Sequence, residues 1–363
     1  MAAIIIKKLL VLVSLIVIAT SCNPKKKDKE NFIGVVTSAT PEASIAGEQI
    51  FLKGGNAIDV AVAVSFALRV TEPAMSGLGG GTQVLLSIKN QPPVSINGTT
   101  LSPSNTPTQI KDTLSYHRRS TIPSTVKVLD YIWKTYGSGK VSWEELLKPA
   151  IELAEKGFPV GKFRAKVYRQ YENRLLQSDF NTSFFLLNGK NIPQDGDIIK
   201  QPQLAKTLRR LAKFGAHDFY NGEIAQKIVN DMKKNGGWIA LEDLQNFPEP
   251  KEIEPLSINY KGYKVYSQPP PCGGWVTLLA LNLLEQTLSD NEISNEDIIR
   301  SLYLAHNDRD KNPITDLIDY DSIAKNKLSK AYAKDLLFEN TFIKEEKEYG
   351  KPLISLSSML MVM

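Results

Sequence analysis

The sequence predicts one body of mixed helices and short strands beginning near residue 31. Three observations point there. Residues 54–82 hold a helix of small apolar side chains set between Gly54-Gly55 and Gly79-Gly80-Gly81. Residues 258–266 put aromatic and β-branched residues on either side of Lys261-Gly262, a strand-turn-strand signal. Between them lie segments with apolar residues at helical spacing, one opened by the capping-box pattern Ser142-Trp143-Glu144-Glu145.

In chain order, residues 31–38 are a short apolar run bounded by turn formers and read as a strand. Residues 41–53 read as an amphipathic helix stopped by Gly54-Gly55. The segment 57–70 has Asp59 and Arg69 as its only charges, the pattern of a helix buried all round. At 14 residues it is too short for an ordinary membrane span, which needs about 20. Thr71-Glu72-Pro73 ends it, and the triple glycine offers a backbone that a ligand or another chain segment can approach closely. Strands are expected at 84–88 and 94–96, separated by Gln91-Pro92-Pro93. Residues 97–122 read as a long polar loop, a feature often tied to function.

A helix capped by Ser or Thr is expected from Ser124 to about Lys134, ended by Gly137 and Gly139. The capping-box helix runs through Lys156, with Pro149 as a bend and Gly157 after it. Helices of mixed polarity follow over 162–178, 203–214 and 223–235. After the 258–266 hairpin and Pro269-Pro270-Pro271, an apolar helix is expected over 275–284.

With 42% hydrophobic and 23% charged residues the composition is that of a globular protein. Most of the formal net charge of +5 sits in the first 30 residues, so the body is nearly neutral and lacks the basic stripe of a nucleic-acid binder. Residues 1–22 have the form of a bacterial lipoprotein signal: Lys7-Lys8, an apolar core over 9–18, Ala19-Thr20-Ser21, then Cys22 as the lipidation site. A plain cleaved signal with an incidental cysteine is the other reading. Residues 23–30 form a charged tether, and the protein is expected at the cell envelope or periplasm, lipid-anchored. A lipidated Cys22 leaves Cys272 without a disulfide partner. Two cysteines and three histidines, none at ligand spacing, argue against a metal site, and no cofactor is expected.

The order of features, GGNAIDVAVAVSFAL, then VTEP, then LGGGT, resembles the start of the gamma-glutamyltranspeptidase (glutathione hydrolase) family. Phe219-Tyr220-Asn221-Gly222, Asn235-Gly236-Gly237, Glu242-Asp243-Leu244, the 260–271 segment, Asp308-Arg309 and residues 328–333 fit the same family in the same order. The resemblance implies an α+β fold, part of a four-layer α-β-β-α sandwich of the N-terminal-nucleophile hydrolase type. It implies a precursor that cuts itself into two subunits. The threonine freed at the cut attacks a γ-glutamyl amide, with its own α-amine as base. It also implies a small-molecule γ-glutamyl substrate and no cofactor.

Two departures from the family pattern shape the expectations. The Thr-Thr-His segment that would carry the nucleophile is not found, and Ser357 and Ser358 are internal, without a free α-amine. The chain is therefore expected to be the large-subunit portion (31–350) with an aberrant or truncated tail (351–363), incomplete and inactive without a small subunit. No catalytic residue is assigned in it. Second, where the family places an arginine that grips the substrate's α-carboxylate, this sequence has Thr99, flanked by Asn97 and Thr100 in place of acids. Losing a charge-assisted bond costs roughly 1.5–3 kcal/mol, about 10- to 100-fold in affinity. Arg118 and Arg119 on the following loop are candidate replacements, with two solvated surface arginines as the preferred reading. Cys272, just before a helix, is a candidate for a lowered thiol pKa, with a packing role as the preferred reading. Two other functions stay open: a lipid-anchored binding or scaffold protein without catalysis, and a relative acting on a different amide.

Overall fold

The computed structural model describes residues 34–110, 114, 116–287, 293–314 and 320–339. Cys22, the 23–30 tether and the 351–363 tail lie outside them. The body after residue 36 is built of helices α1 (Pro41–Leu52), α2 (Ala57–Thr71), α3 (Thr125–Tyr136), α4 (Trp143–Lys156), α5 (Lys162–Gln170), α6 (Glu172–Leu175), α7 (Asp179–Phe185), α8 (Pro202–Asn221), α9 (Glu223–Lys234) and α10 (Leu241–Gln245). Helices α11 (Gly274–Thr287), α12 (Asn295–Lys311), α13 (Tyr320–Lys327) and α14 (Lys330–Glu339) follow. The strands are β1 (Val84–Leu86), β2 (Val94–Asn97), β3 (Phe158–Pro159), β4 (Ile198–Ile199), β5 (Lys251–Ile253), β6 (Leu256–Tyr260) and β7 (Tyr263–Ser267).

Helix α2 is the hub. Its small side chains let α1, α3 and α4 come close, and Val62, Ala63, Phe66, Ala67 and Val70 are fully buried. Phe66 meets Trp143 of α4 edge to face at 5.4 Å, and Trp133 of α3 lies 5.3 Å from the same indole. Asn56 caps α2 reciprocally with Asp59, whose carboxylate also accepts from the Ser138 amide, 3.0 Å, and so ties α2 to the turn after α3. The expected capping box of Ser142 and Glu145 opens α4. Helix α8 packs on α4 and bends at Gly215, whose φ of 72° lies in the left-handed region.

Strands β1, β2 and β5 form one antiparallel sheet, with Val84 opposite Ile96 and Asn97 opposite Lys251. Hairpin β6–β7 turns through Lys261 and Gly262, both at positive φ (47° and 83°), the geometry favoured by two-residue hairpin loops. It packs on α11 over a second core with Trp275, Leu279, Leu283 and Leu304. There Asp308 accepts bonds from Lys327, Tyr332 and Asn312 (2.7, 2.7 and 3.0 Å).

Two expectations are corrected. Residues 34–38 of the expected 31–38 strand join no ladder, and a strand needs a paired backbone to exist. Ser124 stands at the N-cap of α3 but does not cap it, because its hydroxyl donates to the Gly98 carbonyl instead.

Candidate functional site

The long loop expected at 97–122 begins where β2 ends, and its first residues meet the triple-glycine segment side by side. The Thr82 amide donates to the Gly98 carbonyl, 3.2 Å. The Gly80 carbonyl accepts from the amides of Ser124 and Thr125, each 3.2 Å, and from the Thr125 hydroxyl, 2.9 Å. That bond consumes the Thr125 proton, so the Thr82 hydroxyl donates to Thr125, 2.9 Å, and itself accepts from Arg69 Nη2, 3.0 Å. A donor chain thus runs from the end of α2 through Thr82 and Thr125 to Gly80. Arg69 is largely buried, its Nε has no partner among the described residues, and the loss of water pulls its guanidinium down to about 10.

On the alternate positions of the same backbone, Gln83, Asn97 and Thr99 form a wall with no charge. Gln83 Nε2 donates to Asn97 Oδ1 at 3.0 Å and to the Thr99 hydroxyl at 2.8 Å. The Thr99 hydroxyl and amide both donate to Asn97 Oδ1, 2.7 and 3.0 Å, and the Gly98 amide to Gln83 Oε1, 3.3 Å. All three side chains are half-buried. Asp243 of α10 steadies the loop beyond the wall by accepting from the Ser104 amide, 3.0 Å. Tyr220 of α8 fixes the start of α3 by donating to the Pro123 carbonyl, 2.9 Å.

The sequence profile described as gamma-glutamyltranspeptidase matches residues 43–352. The chain belongs to the gamma-glutamyltranspeptidase family. The glutathione hydrolase proenzyme of Escherichia coli K12 is 35% identical over 264 residues, 69% of this chain and 45% of that protein. Among solved structures, the gamma-glutamyltranspeptidase of Helicobacter pylori superposes with a TM-score of 0.72 at 30% identity, over 85% of this chain and 91% of that one. A cephalosporin acylase from Bacillus halodurans gives a TM-score of 0.74 at 29% identity, over 83% of this chain and 58% of that one. The chain spans about half the length of the curated relatives it matches. The α+β class read from the sequence is the fold of these neighbours.

Within this fold Thr99 lies in the neutral wall, while Arg118 and Arg119 make no bond to it. Arg118 Nε donates to the Gly236 carbonyl, 3.3 Å, and its guanidinium lies 5.9 Å from the centre of the Trp238 ring. Neighbouring His117 binds Asp231 at 2.9 Å, so this turn is held against the Asn235-Gly236-Gly237 segment. Arg119 Nε donates to the Leu114 carbonyl, 2.5 Å, and its side chain lines a cleft of about 600 Å³. The Cys272 thiol is pushed up by burial, opposite to the shift a helix N-terminus produces. Among the described residues no cluster of His, Cys, Asp or Glu is arranged to hold a metal.

Gln83 and Arg69 carried no signal in the sequence that tied them to the site. Gln83 stands just before the expected 84–88 strand and Arg69 is one of two charges on an apolar helix, and only the packing of the loop on β2 and α3 reveals their roles. The cleft was equally hidden, because its walls come from three separate stretches of sequence, 71–75, 114–119 and 163–185.

Proposed function

We propose that this chain is the large-subunit part of a gamma-glutamyl hydrolase and transferase, and that the nucleophile is supplied by polypeptide outside these 363 residues. The observation that carries the reading is the match over residues 43–352, and the glycine loop is hydrogen-bonded beside the Thr99 wall. The sequence itself offers no Thr-Thr-His segment to serve as nucleophile. In this reading the protein is exported and lipid-anchored through Cys22, as its N-terminal pattern suggests. A specific observation favours a second reading, action on a different amide. The Gln83–Asn97–Thr99 wall is uncharged and spends its hydrogen bonds internally, which suits an acyl group without an α-carboxylate. A cephalosporin acylase among the structural neighbours shows the same fold in a protein named for another amide.

The test is turnover of two chromogenic anilides, γ-glutamyl and butyryl, by residues 23–363 with and without a family small subunit added in trans. The expected result is no turnover alone and γ-glutamyl turnover when complemented. A complemented enzyme that prefers the butyryl anilide would establish the second reading. Turnover by the 23–363 chain alone, abolished by a point change within it, would overturn the placement of the nucleophile. Silence in every combination would favour a binding protein without catalysis.

A further inference from the structure

The cleft that Arg119 borders lies between the turn after α2 and the short helices α5–α7, and it is not part of the Thr99 wall. Its volume of about 600 Å³ falls within the range of small-molecule sites, roughly 300–1,000 Å³. Phe163, Val167, Tyr171, Leu175 and Phe185 give it an apolar interior, with Met75 on the opposite side. Phe163 and Met75 are 64% and 51% exposed, so this surface is open to a ligand.

Its charged groups are mostly of one sign. Three guanidinium groups, Arg119, Arg164 and Arg174, line the cleft against a single carboxylate, Glu72. Arg164 is committed to Glu42 through a two-pronged pair of 2.8 and 3.1 Å. Among the described residues Arg119 bonds only through its Nε, and the Arg174 side chain has no hydrogen-bond or ion-pair partner. Burial pushes the Glu72 carboxyl up against the opposing pull of the Arg164 guanidinium. Tyr168, 9% exposed as a residue, also lines the cleft, and its hydroxyl makes no hydrogen bond to a described residue.

We infer that this cleft binds an amphipathic carboxylate, an aryl or alkyl acid whose tail fills the space between Phe163, Val167 and Phe185 and whose carboxylate meets Arg119, Arg174 and the Tyr168 hydroxyl. The site stands apart from the catalytic reading and does not depend on it.

Binding of 4-phenylbutyrate and of its neutral amide, 4-phenylbutyramide, to the full chain by titration calorimetry tests the inference. The acid binds and the amide binds at least about tenfold more weakly, the loss expected when a charge-assisted hydrogen bond becomes a neutral one. Val167→Trp fills the interior and abolishes binding of both. Arg174→Ala, at an exposed position that leaves the fold undisturbed, weakens the acid about tenfold and leaves the amide unchanged. No binding of the acid, equal binding of acid and amide, or acid binding that survives Val167→Trp in a protein with wild-type circular dichroism would each overturn it.

Discussion

Replacing Gly98 by alanine tests whether the glycine loop and the Thr99 wall form one packed unit. A methyl carbon on Gly98 would lie 2.0 Å from the Thr82 carbonyl oxygen and 2.5 Å from Val128 Cγ2. Non-bonded carbons rest near about 3.5–4.0 Å, so both neighbours have to retreat by about 1 Å or more. Neither is free to do so. Thr82 is held through its amide to Gly98 and through its hydroxyl to Arg69 and Thr125, and Val128 is fully buried in α3. Overpacking of this kind costs roughly 1–3 kcal/mol. Loss of the Thr82 amide bond adds about 0.5–1.5 kcal/mol. The total of about 1.5–4.5 kcal/mol, at roughly 2–4 °C per kcal/mol for a domain of 150–250 residues, lowers Tm by about 3–18 °C. The assay is thermal unfolding of the full chain followed by far-UV circular dichroism. Gly79→Ala is the matched control, since a methyl there meets no atom within 4 Å. Gly98→Ala melting within about 1 °C of wild type, or Gly79→Ala proving the more damaging, would refute the reasoning.

Two further outcomes are expected. Burial alone would raise the Asp308 carboxyl, but the bonds from Lys327, Asn312 and Tyr332 outweigh it and hold Asp308 below its ordinary value of 3.8. A depressed folded value means that the stabilisation is complete above the unfolded value and fades as pH falls through the folded one, so Tm should drop steeply below about pH 4. Asp308→Asn, measured from pH 3 to 6, should flatten that part of the profile, and an unchanged slope would remove Asp308 from the account. Cys22→Ser should move the protein from the membrane fraction to the soluble fraction of the expressing cell, and wild-type protein already soluble would sink the lipid anchor.

Much of the helical framework was legible because its signals are local. The α2 run is apolar on all sides, the Ser142–Glu145 box lies within four residues, and Lys261-Gly262 sits between two β-rich runs. What was missed depends on partners distant in sequence. Ser124 looked like a helix cap until the Gly98 carbonyl arrived beside it. The wall around Thr99 needed Gln83 from the segment before β1, and the cleft needed the turn at 72–75 to face α5–α7. The recurring segments 219–222 and 242–244 were recognisable as patterns, but the jobs of Tyr220 and Asp243, gripping Pro123 and Ser104, follow only from the fold.

The pairing of β2 with β5 has a consequence for the order in which the protein is made. The partners Asn97 and Lys251 are separated by about 150 residues, and closing so long a loop costs about 4 kcal/mol of chain entropy before any contact repays it. At translation speeds of about 5–20 residues per second, roughly 8–30 s separate the emergence of the two strands from the ribosome. During that interval β1 and β2 can pair with each other, but the outer edge of β2, leading into Thr99, has no neighbour from its own chain. Nascent protein is therefore most exposed to chaperones, and to other nascent chains, at the very strand that goes on to lead into Thr99.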